Sequence, residues 1–368
     1  GRVTLEVSLK ARLGEFALDA AFSAPPGVTA LFGRSGSGKT TIVNAVAGLL
    51  RPDAGRVAVN GAALFDTAAG LWTPPHRRRV GYVFQEGRLF PHLTVRQNLL
   101  YGRWMAGAPR DAAGFDRIVG LLGLAPLLPR RPGALSGGEK SRVAIGRALL
   151  SAPRLILMDE PLASLDEARK AEILPYLERL RDEAAVPILY VSHAVAEIAR
   201  LATTVVALAE GRVTRAGPAA EVLADPEAVP AFGVREAGAV VAARVVAHHE
   251  DGLSELAACG GRLFLPRVRA GPGEALRVRV RAQDVLLSRE APRGLSALNI
   301  LPATVTGLRL GEGPGVVVQL DAGGDLLLAR VTRRSAEALG LADGVRCHAV
   351  LKAVSVARAD VGGAEQAG

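Results

Sequence analysis

The sequence predicts an α/β domain built on a mainly parallel sheet, followed by a smaller all-β region. Three observations carry this expectation. Short, almost wholly apolar runs alternate with helical patterns between Val3 and Ala209, as strands covered on both faces by helices require. A glycine-rich turn joins one of these runs, Gly27–Phe32, to a helix-like segment at Thr40–Leu50. After about Gly217 helical spacing gives way to short alternating runs separated by Gly/Pro turns, the pattern of small antiparallel modules.

Taken in order, Val3–Phe22 alternates apolar and polar residues, as in Leu5-Glu6-Val7-Ser8-Leu9, and reads as antiparallel strand. Buried strands follow at Gly27–Phe32, Val80–Phe84, Leu155–Asp159, Ile188–Ser192 and Thr204–Ala209. Helical spacing falls between them at Val95–Trp104, Phe115–Leu122, Gly137–Leu150 and Asp166–Arg181. The stretch Gly217–Glu236, rich in Pro, Gly and acidic residues, reads as a short helix plus linker. Strand-like runs then recur at Ala239–Val246, Leu276–Val280, Ala303–Leu308, Gly315–Leu320 and Cys347–Val356. One or two small β-barrel-like modules are expected there.

At 368 residues the chain exceeds one typical domain. Its longest apolar stretches fall far short of the roughly 20 residues of a spanning helix, and Arg244 interrupts Ala239–Val246. No charged segment followed by an apolar core opens it, so no secretion signal is expected. Cys259 and Cys347 lie far apart, outside any metal-like spacing, and read as thiols of a reducing compartment. The net charge of +9 comes from scattered arginines, only five of the 45 basic residues being Lys, with one local cluster at Arg77-Arg78-Arg79. With no nucleic-acid-binding signature beside it, this charge does not argue for nucleic acid as a partner.

Gly33-Arg34-Ser35-Gly36-Ser37-Gly38-Lys39-Thr40 fits G-x-x-x-x-G-K-[ST], between a strand and a helix where the chemistry requires it. Small residues let successive backbone N–H groups turn toward phosphate oxygens, and the helix behind them adds the positive end of its dipole. Lys39 would reach the β- and γ-phosphates, Thr40 would ligate Mg²⁺, and Thr41 completes the phosphate-facing set. Leu155-Ile-Leu-Met-Asp159-Glu160 is a buried strand ending in two acids. Asp159 is expected to hold Mg²⁺ and Glu160 to polarise an attacking water.

Four further elements occur in a fixed order around these two. Gln85 ends the Val80–Phe84 strand, Leu135-Ser136-Gly137-Gly138-Glu139 opens a helix, Ser164-Leu165-Asp166 follows Glu160, and His193 closes the Ile188–Ser192 strand. Together they resemble the Q-loop, signature, D-loop and switch of ABC transporter ATPases, over about residues 3–235. The resemblance implies a P-loop ABC ATPase domain at 1–235, with a mixed sheet and a helical subdomain at about 88–150. It implies ATP and Mg²⁺ as cofactors, with Glu160, His193 and Gln85 catalytic and Thr40, Gln85 and Asp159 at the metal. It implies a head-to-tail homodimer in which Ser136, Gly137, Gly138 and Glu139 meet the partner's ATP, with Asp166 in the D-loop. Phe16 is the expected adenine-stacking residue. The signature ends in Glu139 where the family more often has Gln, and Ser141 stands where Gln is common; neither is expected to touch the reacting phosphates.

The segment Gln85–Val95 resembles the one that importer ATPases place against a permease, with Leu89, Phe90 and Leu93 suited to an apolar socket. A separate integral-membrane permease dimer is therefore implied, as is peripheral attachment to the cytoplasmic face of the bacterial inner membrane. Residues 291–368 resemble a Mop/TOBE-type oxyanion-binding module of OB-like all-β fold, with 236–290 as linker and first β segment. The carrying residues are Ser296-Ala-Leu-Asn299 and the later Val345–Val356 stretch, so Ser296, Asn299, Lys352 and Ser355 are the expected oxyanion ligands. Leu298 stands where that family often has Arg. Over nearly the whole chain the resemblance is to molybdate-importer ATPases, with molybdate or tungstate as a tail ligand and a periplasmic molybdate-binding protein as indirect partner. Sulfate, iron and polyamine importer ATPases share the motor but generally lack the Ser-x-x-Asn arrangement. An oxyanion-sensing protein outside transport is the alternative of a different class.

Overall fold

The computed structural model describes residues 4–105, 111–163, 165–183, 186–311, 313–357 and 360–363. Two compact units emerge, one of residues 1–193 with 201–216, the other of 194–200 with 217–368.

In the first unit, strands β1 (Leu5–Leu13) and β2 (Phe16–Ala24) form a hairpin, with Leu13 paired to Phe16 across its two-residue turn. β3 (Val28–Phe32) is wholly buried and leads to helix α1 (Lys39–Ala47). β4 (Ala54–Val59), β5 (Ala62–Asp66) and β6 (Leu71–Trp72) extend the antiparallel side. β7 (Val80–Val83), β8 (Leu155–Asp159), β9 (Ile188–Val191) and β10 (Thr204–Ala209) lie parallel to β3, and β11 (Arg212–Pro218) joins the two sides. Among the described residues the sheet order is β6-β5-β4-β1-β2-β11-β10-β3-β9-β8-β7. The sheet is therefore mixed, and β4–β6 and β11 are strands that sequence pattern did not mark. The parallel strands read clearly because burial on both faces demands continuous apolar runs; β4 and β11 instead carry exposed or half-exposed residues over much of their length.

Helices α2 (Val95–Met105), α3 (Ala112–Leu121), α4 (Gly137–Leu150) and α5 (Glu167–Glu183) fall where the helical spacing places them. α2, α3 and α4 bury Leu99, Phe115, Ile118 and Ile145 in one core cluster with Leu122 and Leu124 of the turn after α3, each such side chain contributing about 1.5–3 kcal/mol. α1 stops three residues short of its expected end, because Gly48 enters the left-handed region at φ 81° and closes the helix.

Of the arginine cluster, Arg77 and Arg79 are exposed and Arg78 is buried. Arg78 is only 1% exposed. Its Nη1 donates to the Ala45 and Val46 carbonyls at the end of α1, its Nε to the Thr73 carbonyl, and its guanidinium lies 4.5 Å from the Trp72 ring centroid. A cation against the last carbonyls of a helix complements the negative end of its dipole. Burial lowers the Arg78 pKa to about 10, so it stays charged.

A short helix α6 (Val195–Leu201) follows β9 in sequence. In the second unit the helices α7 (Ala219–Leu223) and α8 (Val229–Phe232) precede strands β12 (Gly238–His248), β13 (Leu253–Ala258), β14 (Gly261–Pro266) and β15 (Ala275–Arg281). Then come β16 (Leu286–Ser288), β17 (Asn299–Leu310), β18 (Gly315–Ala322), β19 (Asp325–Thr332), helix α9 (Arg333–Ala338), β20 (Arg346–Leu351) and β21 (Val361–Gly363). Among the described residues they form two sheets, β14-β13-β12-β15-β21 and β16-β20-β17-β18-β19. One cluster of buried side chains, including Val241, Val278, Val305, Val318 and Leu327, draws on both sheets. Residues 236–290, expected as linker and first β segment, supply four strands of one sheet and an edge strand of the other, and β21 pairs with β15. Cys259 and Cys347 are free thiols in this core, and burial raises the pKa of each, Cys259 to about 12. Among the described residues no helix is long and apolar enough to cross a membrane.

Candidate functional site: a phosphate-loop cavity

Gly36 at φ 80° and Gly38 at φ 104° hold the turn between β3 and α1 in left-handed conformations, which side chains other than glycine's adopt at a penalty. A Cβ on Gly38 would also lie 3.1 Å from the Phe16 ring, and one on Gly33 would strike the Leu208 carbonyl. Lys39 folds back over the loop, donating from Nζ to the carbonyls of Gly33 (2.7 Å) and Arg34 (2.9 Å), with Ser37 Oγ at 3.5 Å. Burial lowers the Lys39 pKa, opposed by the charges of Glu160 and Asp159.

A cavity of about 860 Å³ opens over this loop, lined by Leu13, Phe16, Ser35, Gly36, Gly38, Lys39, Thr40, Thr41, Glu160 and His193. Glu160 leaves β8 at φ 48°, its N–H bonded to the Val191 carbonyl at 2.9 Å. Its Oε1 stands 3.4 Å from His193 Nδ1. A left-handed glutamate costs about 1–3 kcal/mol unless its surroundings hold it there, and strain of this kind at a strand exit aims the carboxylate into the cavity. Asp159, one residue earlier, is half-buried; burial first, then the Glu160 charge, raise its pKa. Glu160 shares the cavity with the Thr40 hydroxyl, and Asp159 lies close to Glu160 and Lys39; carboxylate and hydroxyl oxygens are donors that fit a divalent cation of the Mg²⁺ type.

Of the residues expected from sequence, Ser35, Gly36, Gly38, Lys39, Thr40, Thr41, Phe16, Glu160 and His193 meet in this cavity. Gly33, Arg34 and Ser37 belong to the same loop, bound by Lys39 from behind. Gln85 sits exposed in the turn after β7. Asp166 caps α5, accepting the Arg169 N–H at 2.9 Å; Ser164 lies outside the described residues. Leu13 was not marked by sequence, though the tight β1–β2 turn that pairs it with Phe16 is the signal that finds it.

The Ser136–Glu139 segment opens α4 and does not line the cavity. Ser136 Oγ accepts the Glu139 N–H at 3.2 Å, and Glu139 Oε2 accepts the Ser136 N–H at 2.7 Å, a reciprocal cap. This is what glutamate at the last signature position does. The bond from the Ser136 backbone, with help from Arg130, holds the Glu139 carboxyl below its ordinary value of 4.5. A lowered folded pKa means a stabilisation present in full above 4.5 and lost as pH falls through the lower folded value. Glu139→Gln keeps an acceptor but has no charge to lose. Its urea-unfolding deficit, under about 1 kcal/mol at neutral pH, is expected to vanish on acidification; a deficit constant with pH would refute the assignment. Ser141, buried on the same helix, donates to the Pro161 carbonyl at 3.3 Å.

In the second unit the four oxyanion candidates differ in availability. Asn299 is buried, with its side-chain amide spent on the Phe264 backbone: Oδ1 accepts the Phe264 N–H at 2.7 Å and Nδ2 donates to the Phe264 carbonyl at 3.0 Å. Ser355 Oγ donates to the Lys352 carbonyl at 2.8 Å. Ser296 and the Lys352 side chain are exposed. β17 and β20 pair Asn299 with Leu351, which brings Lys352 to the same end of the sheet.

Comparison with known proteins agrees with this anatomy. Residues 19–163 match the ABC transporter family and residues 295–357 the TOBE domain family. The molybdenum import ATP-binding protein ModC of Mesorhizobium japonicum is 53% identical over 98% of both chains. That of Rhizobium meliloti is 55% identical over 96% of this chain and 99% of its own. Among solved structures, cbiO1 of Clostridium perfringens, part of the ABC transporter complex cbiONQ, superposes with a TM-score of 0.54. It is 27% identical and covers 62% of this chain and 94% of its own. A nucleotide-free ATP-binding cassette from an ABC transporter superposes with a TM-score of 0.54 at 26% identity, covering 63% of this chain and 99% of its own.

Proposed function

The chain belongs to the molybdenum import ATP-binding proteins of the ABC transporters, and on that premise we propose how its residues drive the transport cycle. It is the ATP-hydrolysing motor of a molybdate importer. The observation that carries the residue-level reading is the meeting of Lys39, Thr40, Glu160 and His193 in one cavity above the phosphate loop.

ATP binds with its phosphates on the loop N–H groups and its base at the Leu13 and Phe16 end. Lys39 exchanges the Gly33 and Arg34 carbonyls for β- and γ-phosphate oxygens. Thr40, Asp159 and Gln85 would hold Mg²⁺, which when bound would neutralise phosphate charge. Glu160 takes a proton from the attacking water as its oxygen bonds to the γ-phosphorus and the bond to ADP breaks. His193 orients Glu160 and the departing phosphate. Ser136–Glu139 act on the ATP of a second copy in a head-to-tail homodimer, where the positive end of the α4 dipole suits the γ-phosphate. Contacts made only in the closed dimer let binding close it and hydrolysis release it.

The motor works on the cytoplasmic face of the bacterial inner membrane, against a permease dimer that seats on Leu89, Phe90 and Leu93. A periplasmic molybdate-binding protein delivers the anion to that permease. The second unit binds molybdate through Ser296, Lys352 and backbone N–H groups, with Asn299 shaping the site through its bonds to Phe264, and slows the motor when the anion is plentiful. In proteoliposomes holding the assembled transporter, molybdate uptake is expected to require Mg-ATP turnover and to resist sulfate competition. Turnover is expected to fall when saturating molybdate is placed on the ATP side. Uptake of sulfate in preference to molybdate would overturn the substrate, and turnover indifferent to molybdate on the ATP side would overturn the sensing tail.

A further inference from the structure

The turn that follows Gln85 is wound in an unusual way. Gly87 at φ 61° and Arg88 at φ 43° are consecutive left-handed residues. Arg147, in the last turns of α4, answers their carbonyls: Nη1 donates to the Arg88 carbonyl at 2.8 Å and Nη2 to the Gly87 carbonyl at 3.0 Å. The same guanidinium lies 5.5 Å from the Phe90 ring centroid. Left-handed backbone at a residue with a side chain persists only where its surroundings over-determine it, and a forked pair of charged hydrogen bonds does so.

The Arg88 backbone so fixed carries its guanidinium over the Phe84 ring, 4.3 Å from the centroid. Phe84 stacks on Tyr82 with centroids 3.9 Å apart and planes tilted by 31°. The Tyr82 hydroxyl stands 3.3 Å from Asn44 Oδ1 and 3.5 Å from Asp159 Oδ2. An unbroken series of contacts thus runs from α4 through the turn beyond Gln85 to the acid at the end of β8.

We propose that Arg147 is a positioning residue for the metal-binding end of the site: its hold on Gly87 and Arg88 sets, through the Phe84–Tyr82 stack, where Asp159 and Gln85 stand. The proposal rests on the reading of Asp159 and Gln85 as metal-facing groups. Arg147 touches neither nucleotide nor metal. Its effect is therefore separable from that of the phosphate loop, which binds nucleotide whether or not metal is present.

The test measures binding of a fluorescent ATP analogue in EDTA and in Mg²⁺, alongside turnover, for the full-length native protein, Arg147→Met, Arg147→Lys and Phe84→Leu. Affinity in EDTA is expected to stay within about twofold for all, while Arg147→Met and Phe84→Leu lose ~10–100-fold in turnover and in the gain that Mg²⁺ confers on binding. Arg147→Lys recovers part of the loss, because an ammonium reaches one of the two carbonyls. The double variant Arg147→Met/Phe84→Leu is expected to be no worse than either single one, as residues on one path are. Native turnover and Mg²⁺ response in Arg147→Met would overturn the proposal. So would equal loss of affinity in EDTA, which marks a scaffold role, and additive losses in the double variant, which mark separate paths. A native protein that neither hydrolyses ATP nor responds to Mg²⁺ would instead sink the underlying assignment of the site.

Discussion

Glu160→Gln is expected to bind ATP within about twofold of the native affinity yet to turn over ~10²–10⁴-fold more slowly, the usual contribution of a positioned proton acceptor. The carboxamide keeps the size of the side chain and leaves the strained φ of 48° and the bond to Val191 undisturbed. What disappears is the group that takes the water's proton. A negative charge beside the phosphates disappears as well, so affinity should not fall. In the proposed cycle the variant accumulates as a closed, ATP-loaded dimer, visible by size exclusion as a doubling of mass on adding Mg-ATP. His193→Ala is the useful companion, because it removes the neighbour at 3.4 Å without removing the proton acceptor. Native-rate hydrolysis by Glu160→Gln would transfer the role of base elsewhere. Slow hydrolysis without a trapped dimer would keep the base and discard the coupling of hydrolysis to opening.

The second large effect concerns stability. Asp360 is 1% exposed and bonds two arginines, Arg279 Nη1 at 3.2 Å and Arg281 Nη2 at 3.0 Å. Arg279, 2% exposed, also reaches the Glu236 carboxylate and carbonyl, each at 2.8 Å. The network joins Glu236, just ahead of β12, to β15 and to β21, which begins directly after Asp360. Removing one partner of a buried pair strands the other charge, so Asp360→Ala is expected to destabilise the second unit by ~3–5 kcal/mol. Urea unfolding followed by a probe in that unit reads the change. Asp360→Asn, which can still accept hydrogen bonds, should fall between the native protein and Asp360→Ala. A loss below about 1 kcal/mol for Asp360→Ala would place the network among pairs whose desolvation offsets their attraction.

The candidate site is largely legible in consecutive residues. The phosphate loop, the acidic end of β8, the signature cap and His193 are each written within a few consecutive residues. Local geometry turns such spacing into structure: a glycine turn before a helix, an apolar run before two acids, a Ser and a Glu at capping distance. The parallel strands were legible for the same reason, since burial on both faces leaves an unbroken apolar run. Tertiary structure alone decided the partners of the long polar side chains. Arg78 sits in a local basic triplet, and its guanidinium binds the end of α1 some 33 residues away. Nothing in the sequence marks Arg147, whose partners Gly87 and Arg88 lie 60 and 59 positions earlier. Asn299, read as an anion ligand, gives its amide to Phe264, 35 residues distant. Within residues 236–290 the runs at Ala239–Val246 and Leu276–Val280 read as strands, whereas β13 and β14 emerge only in the fold, where one buried cluster draws on both sheets. A side chain's own neighbours in sequence set its conformation, but which buried carbonyl or carboxylate it must satisfy depends on what the whole fold removes from water.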